Sequence, residues 1–162
     1  STSKNYIVFN GNSPVVTVSG SGQTTCLPSP YSIDILSNGS PIDYTVSFSD
    51  GSPSTVFTTD NDTTISHIFN TSSCGIDYVF SPSFPPIENS FSATIVAQNA
   101  CSNGLPTVIT VGPITISTGA SAAFSYSPAS PVCQEDPVTF DNQSTGGENI
   151  SALGCDSTYS FY

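Results

Sequence analysis

An all-β architecture, antiparallel β-sandwiches joined in tandem, is predicted by three observations. First, a shift of 107 positions lays the start of the chain over its end without a gap, so that Ile7, Cys26, Pro30, Asp34, Ser37 and Gly39 fall on Ile114, Cys133, Pro137, Asp141, Ser144 and Gly146. Self-similarity at a fixed period marks one folding unit used more than once, and about 107 residues is the size of a single sandwich domain. Second, apolar and polar residues alternate with period two in many short stretches, while the 3.6-residue period of a helix is missing. Third, turn residues separate those stretches at short intervals, as at Asp50-Gly51 followed by Pro53.

Taken in order, residues 1–13 read as a linker or as the last strand of a preceding repeat, with a strand at Tyr6–Asn10. Residues 14–119 read as one sandwich. Its strands are expected at Pro14–Val18, Tyr31–Leu36, Ile42–Ser49, Thr55–Thr58, Thr64–Phe69, Phe91–Gln98 and Thr107–Ser117. The clearest is Ile42–Ser49, where Ile42, Tyr44, Val46 and Phe48 point one way and Asp43, Thr45, Ser47 and Ser49 the other. Phe91–Gln98 repeats that design with Phe91, Ala93, Ile95 and Ala97. Residues 120–162 read as the opening part of a second, truncated repeat with strands at Ala122–Tyr126, Pro137–Asn142 and Thr158–Tyr162, which predicts a stretch of a longer repetitive protein. Short connections restrict the angle between repeats, and each repeat is expected to add on the order of 35 to 45 Å to a rod.

Composition narrows the function. Ser and Thr supply 49 of 162 residues, Arg is absent, Lys4 is the only Lys, and twelve acids set a net charge of −11. Nucleic-acid binding needs clustered Lys and Arg and is excluded; an anionic membrane surface would repel the chain for the same reason. Seven Tyr, ten Phe and 36% apolar residues suffice to build cores. No stretch approaches the roughly 18 apolar residues of a membrane span. Five Cys without metal-ligand spacing, in a small β-rich chain, read as disulfides and therefore as an extracellular setting.

Few residues offer chemistry. His67 is the only His, and neither a nucleophile elbow nor a Cys/His pairing accompanies it; the reading is that of a non-enzyme with no cofactor. Asp60-Asn61-Asp62 presents three oxygen side chains of the kind Ca²⁺ prefers. The Gly and distant Glu of an EF-hand loop are missing, so a solvated turn is the favoured reading, and Asp60 and Asp62 are the first candidates should Ca²⁺ bind. The segment Thr71–Ser90 is long for a sandwich connection and carries Tyr78, Phe80 and Phe84 among Pro82, Pro85 and Pro86. These aromatics either cap the open end of the sandwich, the favoured reading, or meet a partner or the adjacent repeat. Five Asn-x-Ser/Thr patterns are close to chance expectation in a chain of this composition.

Several of these residues resemble the signature of polycystic-kidney-disease (PKD) domains, immunoglobulin-like sandwiches common in large bacterial surface proteins. Val46-Ser47-Phe48-Ser49-Asp50-Gly51 is similar to the family's Trp-Asp-Phe-Gly-Asp-Gly strand end, Ser66-His67-Ile68-Phe69 to its His-Thr-Tyr, and Phe91 to Asn99 to its Gly-x-Tyr-x-Val-x-Leu-x-Val strand. Val46 replaces the signature Trp, Ser49 replaces a Gly, and Thr71–Ser90 is an insertion. Pro131-Val132-Cys133-Gln134-Glu135-Asp136-Pro137-Val138-Thr139-Phe140 resembles the repeats of giant adhesins exported by gliding bacteria through the type IX route. The resemblance implies an immunoglobulin-like fold, a His67 bonded to the Asp50-Gly51 turn, and O-glycan acceptors at Thr63 and Ser157. In the strand order it implies, Cys26 and Cys74 lie at one end of the sandwich and are the preferred disulfide, worth about 4 kcal/mol of denatured-state entropy. Cys74 with Cys101 and Cys133 with Cys155 are the rivals, and Cys133, equivalent to Cys26, would find its partner outside this chain.

The expected function is a structural repeat of a large extracellular adhesin or surface filament at the cell surface. It would hold a binding tip away from the cell and carry load, with neighbouring repeats and other filament copies as partners. Gliding motility is implied only by the resemblance. The alternatives are a carbohydrate- or protein-binding accessory module of a secreted hydrolase, using Tyr78, Phe80 and Phe84, or a filament subunit that exchanges strands with its neighbours.

Overall fold

The computed structural model describes residues 14–19, 24–28, 30–36, 41–79, 85–151 and 154–157. The expected strands at Tyr6–Asn10 and Thr158–Tyr162 lie outside them. Twelve strands and no helix are found among the described residues: β1 (Thr17–Ser19), β2 (Thr24–Cys26), β3 (Pro30–Leu36), β4 (Ile42–Phe48), β5 (Thr55–Thr59), β6 (Thr63–Ile68), β7 (Phe91–Gln98), β8 (Thr107–Ser117), β9 (Phe124–Ser127), β10 (Thr139–Asn142), β11 (Glu148–Ser151) and β12 (Gly154–Ser157). The chain is all-β.

The first eight strands form two sheets, one ordered β1-β3-β6 and the other β2-β8-β7-β4-β5. Every pairing in them is antiparallel except that of β2 with β8. Alternation along the strands decides which face turns inward. Tyr31, Ile33 and Ile35 of β3, Ile42, Tyr44 and Val46 of β4, and Ala93, Ile95 and Ala97 of β7 are all fully buried, whereas the residues between them face outward or are only part-buried. These side chains share one core with Val111, Ile114 and Ile116 of β8, so the two sheets pack face to face as layers of a sandwich. Phe69, at the end of β6, is the aromatic hub: it stacks on Phe91 with centroids 4.9 Å apart and meets Tyr31 and Phe48 edge-on at 6.2 and 5.8 Å.

One irregularity in the larger sheet has a direct cause in the sequence. Phe91 pairs with Ile114 but Ala93 pairs with Val111, so β8 carries one more residue than β7 between those rungs. Gly112-Pro113 occupies that bulge, where Pro has no N–H to give to a ladder. Gly112 has a second use, because a Cβ there would stand 3.1 Å from the ring of Tyr78.

The second copy repeats part of the first. β9 and β10 fall 107 positions after β1 and the middle of β3, and they pair antiparallel as those strands do. Register differs by one residue: Thr17 pairs with Leu36, whereas Phe124, its equivalent, pairs with Asn142, the equivalent of Ile35. A one-residue slip turns a strand's other face to its partner, and the apolar pattern has slipped with it. Val16 and Val18 correspond to Ala123 and Ser125, and the aromatics stand one place further on, at Phe124 and Tyr126. These two therefore share a face with Phe140, the equivalent of the buried Ile33.

Candidate functional site

Polar residues from separate segments come together where the sandwich meets the strands beyond it. β8 runs out at Ser117, and the connector 118–121 lies antiparallel along 145–148. Ser121 and Thr145 exchange backbone hydrogen bonds of 3.0 and 2.9 Å, and the Glu148 N–H donates to the Thr118 carbonyl at 2.9 Å. Gly147 makes that approach possible. A Cβ on it would fall 2.8 Å from the Ala120 nitrogen and 2.9 Å from the Thr118 carbonyl oxygen, both backbone atoms that cannot swing away.

Glu148 fastens the junction to two segments at once. Its carboxylate accepts the Thr118 N–H at 2.9 Å and the Ser72 hydroxyl at 3.2 Å. The bond from the Thr118 backbone is the main reason its carboxyl lies below the usual range; partial burial opposes that, and hydroxyl bonds from Thr118 and Ser72 add to it. A disulfide completes the attachment. Cys74, in the segment after β6, is joined to Cys155 of β12 with Cα atoms 5.8 Å apart and 81 positions between them in sequence. Closing a loop of that length removes about 4 to 5 kcal/mol of denatured-state entropy in the simple chain treatment.

The expected Cys26–Cys74 bridge is thereby corrected. Cys26 and Cys74 do sit at the same end of the sandwich: Cys26 reaches the Ser117 hydroxyl at 3.4 Å, and Ser73 bonds to Ile116. The β11–β12 hairpin, however, folds back and delivers Cys155 to Cys74, leaving Cys26, Cys101 and Cys133 as thiols.

The described residues of the segment Thr71–Ser90, 71–79 and 85–90, are built rather than loose. Ser73, fully buried, donates its hydroxyl to the Asn89 carbonyl at 2.7 Å and accepts the Ile116 N–H at 3.0 Å, while its own N–H donates to the Ile116 carbonyl at 2.8 Å. Asn89, held at a φ of 57°, accepts the Gly75 N–H at 2.8 Å. Tyr78 and Ile87 bridge the two arms with a pair of 2.8 Å backbone bonds. Tyr78 is 4% exposed and lies against Gly112, so it is corrected from a binding residue to a packing one. Phe80 and Phe84 lie outside the described residues.

Asp60 and Asp62 stand exposed in the β5–β6 turn, where Asp60 accepts the Asn61 amide at 2.6 Å. Among the described residues no group of three or more His, Cys, Asp or Glu side chains is close enough to hold a metal. Thr63 opens β6 with its hydroxyl donated to the Asn61 carbonyl at 3.1 Å, and Ser157 ends β12. His67 does reach the turn after β4: its Nε2 lies 2.7 Å from Asp50 Oδ2. Its ring stacks on Phe48 at 3.9 Å and meets Phe69 edge-on, so this pair ties the smaller sheet to the larger. Burial opposes ionisation of Asp50, but hydrogen bonds from Ser52 and His67, with the His67 charge, outweigh it and hold the carboxyl below its usual range.

No protein family matches the chain, and comparisons with curated proteins and with solved structures find no match either.

Proposed function

We propose that this chain is a load-bearing structural repeat of a large extracellular adhesin or surface filament. The observation that carries the reading is the recurrence of the β1–β3 pairing in β9–β10 at the sequence period, together with a covalent and hydrogen-bonded junction that fastens β11 and β12 to the end of the sandwich. The strand order and the parallel pairing of a short early strand with the last one support an immunoglobulin-like, PKD-like module. A disulfide and an almost cation-free, hydroxyl-rich composition support an extracellular setting. Antibodies raised against residues 14–117 should label intact cells that produce the protein; label that appears only after permeabilisation would refute the surface assignment.

A second reading, the strand-exchanging subunit, is favoured by one face of β9–β10, where Phe124 and Phe140 are each 67% exposed and Tyr126 49%. A strand from another copy laid over these aromatics would give concentration-dependent oligomers, abolished by Phe140→Ser; a monomer at all concentrations rules it out. The accessory-module reading is weakened by the burial of Tyr78.

A further inference from the structure

We propose that the Cys74–Cys155 disulfide is a load bypass: tension entering the sandwich leaves it through the two sulfur atoms and not through β8 and the connector, so that residues 75–154 are held outside the covalent load path. The proposal rests on the load-bearing reading above and adds the route that the force takes.

Without the bridge, tension would pass along β8 into the connector 118–121, then through the β9–β10 hairpin and on to β11. The connector and the hairpin are mechanically weak. The connector is held to 145–148 by a few backbone bonds between residues 118 to 121 and 145 to 148, which pulling would open one after another. The hairpin is a sheet of two strands with its aromatic face in water, and a two-stranded hairpin is marginally stable at best.

With the bridge, the covalent path runs from the first strands to Cys74, across the sulfur atoms to Cys155, and onward along β12. The exit point is also well chosen. Ser73, next to Cys74, is tied to Ile116 by two hydrogen bonds, so tension leaves the sandwich beside the C-terminal end of β8 as it would have done along the chain. The strands before Cys74 stay in the covalent path, β3 and β6 among them with six paired positions, while β8, the connector and the hairpin are relieved of it.

Stretching the full chain between handles at its two ends, oxidised and then with a thiol reductant, tests the bypass. Reduction should lengthen the fully unfolded chain by about 270 to 290 Å, the reach of the 81 positions between the two Cys at roughly 3.3 to 3.6 Å each. Cys155→Ser should show the longer value without reductant, and Cys101→Ser the shorter one. Low-force openings of the connector and hairpin should occur only in the reduced chain. Equal lengths in both states, or a gain matching the 48 positions between Cys26 and Cys74, would overturn the bypass. Failure of the load-bearing reading looks different: the sandwich itself gives way at low force in both states, whatever the change in length.

Discussion

Asp50 and His67 show how much a single polar pair can do in a chain with only one His and one Lys. The two come from opposite sheets, their side chains are only 8% and 15% exposed, and the rings of Phe48 and Phe69 enclose the imidazole. The carboxyl of Asp50 is held below its usual range in the folded protein. A group whose pKa is lowered by folding adds stability above its unfolded value, and that contribution is lost as pH falls through the folded one. The thermal midpoint should therefore drop as pH is taken below the ordinary carboxylate range. Asp50→Asn should lose about 1 to 3 kcal/mol at neutral pH and show a smaller acid-dependent drop; urea titrations of both proteins across that range measure it, and an unchanged pH profile would show that the pair is not coupled to folding. Part of this is readable from the sequence, since the Ser66-His67-Ile68 resemblance points to the Asp50 turn. The stacking of His67 on Phe48 is not, because it depends on how the two sheets are offset.

Among the elements, the strands with strict alternation are the legible ones. Phe91–Gln98 and Thr107–Ser117 stand at their expected bounds, and Ile42–Ser49 is one residue shorter. Those missed share a physical cause. β2 is three residues that become a strand only because β8 offers a parallel edge, and β11 and β12 carry no alternation, their pairing being supplied by each other and by the junction. The segment between β6 and β7 is recognisable in the sequence as an insertion, but its purpose is visible only in the fold. β7 starts at Phe91 and leaves the Ile116 N–H and carbonyl of β8 without a strand partner on that side, and Ser73 supplies one for each. Ser73→Ala deletes the hydroxyl but keeps the backbone bond, leaving the buried Ile116 N–H and Asn89 carbonyl without that partner. The expected cost is about 1 to 3 kcal/mol, read as a shifted denaturation midpoint with an unchanged slope. A loss within experimental error would mean that the insertion is held by other contacts.

At the scale of the whole molecule, the question is what fixes the second strand pairs to the first sandwich. The repeat is legible because identities recur at one spacing, yet the disulfide is not, since the partner of Cys74 is set by a hairpin that stands where the first copy has the single strand β4, with Cys155 at the position of Phe48. The junction depends on small features acting together: a glycine that admits the connector, a carboxylate that accepts from two segments, and the sulfur bridge. Gly147→Ala places a methyl group within 2.8 Å of the connector backbone, so it should push the connector away and weaken the Glu148 bonds without touching the core of the sandwich. The expected outcome is faster amide exchange at Thr118, Ser121, Thr145 and Glu148 while β4 and β7 keep their protection, with a larger effect in reductant because the disulfide no longer holds the two parts together. Acid should also lower the protection of these amides relative to the unfolded chain at the same pH, because Glu148 accepts only weakly once its lowered carboxyl is protonated. If exchange at those four amides is unaltered by the methyl group in both redox states, the close approach at Gly147 is not what positions the junction.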